Sequence, residues 1–362
     1  MNFSKKMGMT CILISFAFGV PVNGQNIGIE FDAVEIGTDA GLRGLDVVDE
    51  NVIWASGGNQ TVARTVDGGK TWQVKQLSIA DKLEFRDVEG FSGDSAVLLS
   101  AGTPGLVLET ANGGKDWTTR YRNDDKAIFF DAFSFWNRKS GIAFSDPLNK
   151  KLKLIKTADG GKSWTALDSF APKTLSAEAG FAASGTCLTT QGSSNVWVGL
   201  GGKPTNSETE FARILYSNDQ GVSWSAAVST IPRSESAGIF SLCFVDAKLG
   251  FAIGGDYKVP EGDKNNFSIT TDGGKTWRSP KKSFPTGFRS CIAAAKSKYG
   301  DWILIATGTN GTDLSLDQGE TWKRASDEGF HAIAFTPGKL SGWASGAKGK
   351  MARFSIVNRK TR

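Results

Sequence analysis

Short apolar runs recur along the whole chain, each bounded by Gly, Ser, Asn or Asp; Val52-Ile53-Trp54-Ala55 and Asn195-Val196-Trp197-Val198 are examples. Runs this short between turn-forming clusters predict strands, since an amphipathic helix needs a longer periodic stretch and β-branched and aromatic residues suit a pleated surface. Each run is followed by a further strand that enters an eight-residue phrase, Ser/Thr-x-Asp-x-Gly-x-Thr/Ser-Trp, as in Thr65-Val66-Asp67-Gly68-Gly69-Lys70-Thr71-Trp72. Its six copies end at Trp72, Trp117, Trp164, Trp224, Trp277 and Trp322, so successive copies lie 45, 47, 60, 53 and 45 residues apart. That is the period of a four-stranded propeller blade.

The phrase follows from turn chemistry. The acid (Asp67, Asp159, Asp219, Asp272, Asp317, with Asn112 in the second copy) accepts backbone N–H groups just downstream. Glycine supplies the positive φ, and the terminal Trp restarts a strand and packs inward. Gln220 and Gln318 replace the first glycine, whereas the glycine two residues after the acid is present in all six copies. These residues are therefore expected to brace turns and to do no catalysis.

A seventh unit follows the last box, with strands expected at 330–335, 341–345 and 351–356, and it lacks both a box and a fourth strand. The extended segment 31–37, ahead of the first blade, is placed to supply that strand. Pairing the two chain ends would close the ring and hide its sheet edges. The predicted fold is all-β, a seven-bladed β-propeller of four-stranded blades.

Composition fits this picture. Of 362 residues, 40% are hydrophobic, 22% are charged and 44 are glycine, as expected for a turn-rich β protein. At the N-terminus, Lys5 and Lys6 precede a ten-residue apolar stretch, 11–20, and Val22-Asn23-Gly24 offers small-residue cleavage before Gln25. This reads as a signal peptide over 1–24, with 25–362 as a single propeller domain and a secreted or periplasmic destination. Without 1–24 the chain carries 40 basic and 37 acidic residues, a net charge of +3. With no basic stripe interleaved with aromatics, nucleic acid is not an expected partner. No further apolar run reaches the length of a membrane span, so no span is expected in the mature chain. Cys187, Cys243 and Cys291, an odd number without metal-ligand spacing, read as small buried hydrophobes, with one inter-blade disulfide as the alternative.

Candidate chemistry collects on one face. Inner-strand starts and the loops joining second to third strands open on the same mouth of the channel, opposite the box turns. The inner-strand starts read Arg43, Arg86, Phe130, no clear residue in the fourth blade, Phe240, Arg289 and His331. Four basic or potentially basic groups thus follow one another around the ring, a pattern suited to carboxylate or phosphate. Side chains solvated at strand starts, or bridging to carboxylates such as Asp87, are the competing reading. The loops add Asp146, Asp256 and Tyr257, and Asp313, with Glu178 just ahead of an inner strand.

His331 is the only histidine and no Gly-x-Ser-x-Gly elbow, P-loop or Gly-x-Gly-x-x-Gly turn is present. A serine-hydrolase triad, a nucleotide cofactor and a His/Cys zinc site are therefore not indicated, and neither metal nor cofactor is expected. The eight-residue phrase is identified as the Asp-box, or BNR repeat. With Phe135-Trp136, Asp146-Pro147, Phe181-Ala182-Ala183-Ser184-Gly185-Thr186 and Gly254-Gly255-Asp256-Tyr257, the chain resembles bacterial relatives of the photosystem II stability and assembly factor family. That resemblance implies an exported, monomeric, non-catalytic propeller. It would bind a protein partner or anionic segment at the Arg-rich mouth and assist assembly or stability of an envelope complex. The alternative is a glycoside hydrolase or lectin. Resemblance to sialidases would give a substrate carboxylate to Arg43, Arg86 and Arg289, with Tyr257 and Glu178 as the reacting pair. Resemblance to Asp-box glucanases would nominate Asp146 and Asp256.

Overall fold

The structure is a computed structural model describing residues 26–79, 83–262 and 265–359. The leader read over 1–24 lies outside the described residues. Apart from one 3-10 turn at Asp168–Phe170, all regular elements among the described residues are strands, arranged as seven antiparallel sheets in a ring.

From the channel outward, blade 1 comprises Leu42–Val47, Ile53–Gly57, Thr61–Thr65 and Gln73–Gln76, and blade 2 comprises Glu84–Gly90, Ala96–Ala101, Gly105–Thr110 and Thr118–Asn123. Blades 3, 4 and 6 follow the same order, with inner strands Phe130–Phe135, Leu188–Gln191 and Cys291–Lys296. Blade 5 departs from the expected four strands. It has Ala237–Phe244, Gly250–Asp256 and Phe267–Thr270, and its outer edge is reduced to a bridge between Ile269 and Arg278.

Blade 7 places Ala332–Phe335 innermost, then Ser341–Ser345, Met351–Arg359 and, outermost, the N-terminal strand Asn26–Val34. The closing strand is thus the expected one, displaced toward the N-terminus relative to 31–37; Asn26 opposes Arg359 and Val34 opposes Met351. The seam it creates is packed like the others, with Trp72 meeting Trp343 edge-on at 5.5 Å.

The core lies between blades. Apolar faces of neighbouring sheets interleave, as where Trp54 of blade 1 packs with Phe85, Leu98 and Leu108 of blade 2. Box turns lock the outer strands. Thr71 donates both its N–H (2.9 Å) and its hydroxyl (2.6 Å) to the Asp67 carboxylate, and Gly69 N donates to Thr65 Oγ1 at 3.0 Å. In the second copy donor and acceptor are exchanged, since Asn112 Nδ2 donates to Asp116 at 2.9 Å. Gln220 and Gln318 accept a φ of 59° at the first turn position. The second position tolerates only glycine because, besides its positive φ, a Cβ at Gly69 would overlap the Trp343 ring.

Cys187, Cys243 and Cys291 are all free thiols, so no inter-blade disulfide forms among the described residues. Burial pushes the Cys243 thiol up to about 12. No described helix is long and apolar enough to cross a membrane.

Candidate functional site

Four inner strands carry a β-bulge that frees one residue from the ladder. The ladder skips from Leu42 to Gly44, from Phe85 to Asp87 and from Phe130 to Ala132, which places Arg43, Arg86 and Asp131 at equivalent positions in blades 1, 2 and 3. Phe240 occupies the same position in blade 5. The blade-3 residue at this position is therefore Asp131, one place beyond the expected Phe130. The motif Phe130-Asp131-Ala132 beside Phe85-Arg86-Asp87 carried that signal. A bulge turns a side chain that a regular strand would hold in the sheet face, so this ring of positions points at the channel.

Blade 4 contributes no such residue because its chain does something else. Residues 180–186 leave the sheet and run across the channel, contacting most of the ring. Arg43 Nη1 donates to Ala183 O (3.4 Å) and Arg86 Nη1 to Ala182 O (3.1 Å). Ser184 Oγ donates to Ser290 O (2.9 Å), and Thr186 Oγ1 lies 2.6 Å from Ser241 Oγ. Gly185, at φ 75°, lies so close to Asp87 that a Cβ there would overlap its carboxylate. This plug ties blades 1, 2, 5 and 6 together.

The cations at the mouth differ sharply. Arg289 is 0% exposed and paired with the equally buried Asp313, Nε to Oδ2 at 2.8 Å, while its Nη1 reaches Asn310 Oδ1 and Phe288 O. Burial lowers its pKa, opposed by the Asp313 charge. Arg289 and Asp313 thus neutralise each other beneath the surface. Arg86 is half-buried and bonded to Glu84 at 2.8 Å. Arg43, also half-buried, has no carboxylate in ion-pair contact among the described residues. Burial, then the Arg86 charge, lower the Arg43 guanidinium to about 10, against the pull of Glu84. His331 is driven down to about 4 by burial and then by Arg43 and Arg86, so it is neutral near pH 7. Blades 7, 1 and 2 therefore bring together one neutral imidazole and two guanidiniums, of which Arg86 alone is ion-paired, to Glu84, among the described residues.

Carboxyl groups lie next to this patch. Asp131 is 0% exposed and packed against Gly180, whose N–H donates to Asp146 Oδ1 at 2.8 Å. The Asp131 and Asp146 carboxyls are electrostatic neighbours, and neither oxygen of Asp131 has a hydrogen-bond partner among the described residues. Burial raises both, Asp146 to about 6 and Asp131 well above the ordinary range, with the Asp146 charge adding to Asp131 and the Arg86 charge opposing it. Three residues further along the same inner strands, Asp46 and Glu89 occupy equivalent positions in blades 1 and 2 and burial raises both.

The remaining sequence candidates are placed as follows. Glu178 is 4% exposed, and its two oxygens receive Arg213 Nε (2.7 Å), Arg213 Nη2 (2.6 Å) and Leu175 N (2.7 Å). Tyr257 is 49% exposed and packs edge-on against Phe181 and Phe240. Asp256 receives Lys258 N at 2.9 Å. Glu178 is thus committed to Arg213 and has no free oxygen to assist the Tyr257 phenol.

Residues 25–126 match the family described as photosynthesis system II assembly factor YCF48. The photosystem II assembly lipoprotein Ycf48 of Synechococcus sp. (strain CC9902) is 27% identical over 135 residues, which is 37% of this chain and 39% of that protein. The chain therefore matches well under half of the length of that curated relative. Among solved structures, YCF48 bound to D1 peptide aligns with a TM-score of 0.61 at 19% identity, covering 90% of this chain and 97% of that one. YCF48 from Cyanidioschyzon merolae gives 0.56 at 19% identity, covering 90% and 98%. The GH74 enzyme of Niastella koreensis gives 0.54 at 13% identity and covers 90% of this chain but 44% of that one. At these identities the solved structures bear on the fold. Together with the Asp-boxes and the matched segment, they make this chain a seven-bladed Asp-box propeller similar to the photosystem II assembly factors.

Proposed function

We propose that this propeller is an exported assembly or stability factor that acts as a monomer and binds a peptide segment of a membrane-complex subunit through a carboxylate held at the mouth. The observation that carries this reading is Arg43, a half-buried guanidinium whose near neighbours include a second arginine and which lacks a carboxylate in ion-pair contact among the described residues. An uncompensated cation held beside another is costly in the free protein, and an anionic ligand removes that cost. The similar structure described as YCF48 bound to D1 peptide lends the partner its class, a peptide segment. The sialidase form of the glycan alternative gains no support from the Glu178–Arg213 pairing, which occupies one of the two groups that form requires.

The test is photo-crosslinking capture from the native envelope with wild-type protein beside the Arg43→Ala/Arg86→Ala double variant. Arg289 is left intact, because removing one partner of a buried ion pair costs about 3–5 kcal/mol and would confound binding with folding. Wild type should capture a membrane-complex subunit, and the folded double variant should lose it. Equal capture by both proteins would reject the mouth as the binding site.

A further inference from the structure

Across from the arginines, the mouth is aromatic. Phe181 lies flat on Phe240, with ring centroids 4.0 Å apart and planes 11° apart. Tyr257 stands edge-on to both at 6.4 and 6.2 Å, and Phe240 meets Phe288 edge-on at 4.7 Å. Phe240 and Phe288 are buried beneath, while Phe181 is half-buried and Tyr257 is 49% exposed. Phe181 has a fixed seat because Gly201 and Gly238, bridged to each other across blades 4 and 5, leave room for its ring; a Cβ on Gly201 would overlap it.

Phe181 is also the first of three consecutive plug residues whose next two carbonyls receive Arg86 and Arg43. Consecutive Cα atoms are about 3.8 Å apart, so the aromatic surface and the guanidiniums are separated by the span of a few residues of extended chain. Arg43 Nη2 and Nε and Arg86 Nη2 make no hydrogen bond among the described residues, which leaves a fork open for a carboxylate.

We propose that Phe181 and Tyr257 form an apolar subsite that selects, among peptides whose carboxylate is held by Arg43 and Arg86, those with a bulky aromatic side chain one to three residues from that carboxylate. This rests on the reading of the mouth as a carboxylate site and adds the partner's second determinant. An aromatic side chain suits the subsite because it can meet the Phe181 and Tyr257 rings edge-on, as those rings already meet each other.

Fluorescence anisotropy with labelled Gly/Ser decapeptides tests it. The peptides end in Phe-Gly with a free carboxylate, in Ala-Gly with a free carboxylate, in Phe-Gly amide, or as an amide with an internal Phe-Gly-Asp. Wild type should bind the Phe-Gly carboxylate about five- to tenfold more tightly than the Ala-Gly carboxylate. Tyr257→Ala, at an exposed position, should lose that preference and bind the Ala-Gly peptide as wild type does. If the carboxylate is required, and is lost with Arg43→Ala/Arg86→Ala, but Phe and Ala bind alike, the aromatic subsite is wrong and the carboxylate mouth stands. If the Phe-Gly amide binds as well as the Phe-Gly carboxylate, the carboxylate mouth itself fails. Binding of the internal Asp peptide on a par with the free terminus would identify an acidic side chain as a sufficient source, and discrimination against it would identify a chain end.

Discussion

Asp131 and Asp146 are two buried carboxyls beside Gly180, and the burial that raises their pKa values has a measurable consequence. In the unfolded chain both carboxyls release their protons near the ordinary range, whereas the folded chain holds Asp146 at about 6 and raises Asp131 well above its ordinary value. Between pH 4 and 6 the native state binds more protons, so the stability contributed by this site falls as pH rises through that window and stays low above it. Asp146→Asn keeps an acceptor for Gly180 N–H and gives Asp131 a permanent donor. It should raise stability at pH 7 by about 1–3 kcal/mol and flatten the decline from pH 5 to pH 7 in urea denaturation. His331 contributes in the opposite direction, its depressed pKa adding stability as pH rises from about 4 to its unfolded value. That contribution is common to both proteins and cancels in their difference. A variant profile that superimposes on wild type would show that the native state does not hold the Asp146 proton above its unfolded range.

Residue-scale legibility divides by range. The box was readable because every bond in it lies within four residues, as with Thr65, Asp67, Gly69 and Thr71. The arginines were not, because their surroundings are non-local. Arg43 and Arg289 look alike in sequence, each following an apolar residue at an inner-strand start. The partner that buries Arg289 lies 24 residues away, and the carbonyl met by Arg43 lies 140 away. No local pattern distinguishes the two.

The element that decides the mouth is the plug. The Phe181-Ala182-Ala183-Ser184-Gly185-Thr186 string stands out in the sequence, yet its course is not legible there, because it lacks strand alternation and its partners lie on other blades. What marks it in three dimensions is close approach. Gly180 and Gly185 lie against the carboxyls of Asp131 and Asp87 with no room for a Cβ. Gly185→Ala meets both that overlap and a left-handed backbone, and should cost at least about 2 kcal/mol in denaturant unfolding while disturbing the Arg43 and Arg86 contacts. A variant as stable as wild type would mean that the plug is not seated against Asp87. Blade 5 shows a second limit of element-level reading. Its box is complete, so a fourth strand was expected, but only the Ile269–Arg278 bridge forms after Trp277.

The ring as a whole depends on pairing its two ends. The seven-fold count was legible because a seventh unit lacking one strand and an unassigned N-terminal segment complete each other. The register was not, since a peripheral strand has one covered face and weak alternation, and it shifted from 31–37 to Asn26–Val34. Removing 26–34 would uncover the long edge Met351–Arg359 and part of the apolar cluster containing Ile29 and Phe31. The truncated protein should unfold at lower denaturant and self-associate in light scattering, as exposed edges template pairing. A monodisperse truncation of unchanged stability would argue that blade 7 closes without its outer strand.

The same strand also sets how the molecule would be tethered. Val34 pairs at the end where Gly349 bonds to Ala40 and Leu42 to Gly346, which is the mouth, and Asn26 pairs at the opposite end, beside the box turns. Any segment that leads into Asn26 therefore departs from the rim of the box face. A propeller leashed there to a surface would turn its mouth outward, toward whatever approaches from the aqueous side, and would leave the mouth unobstructed by its own leash.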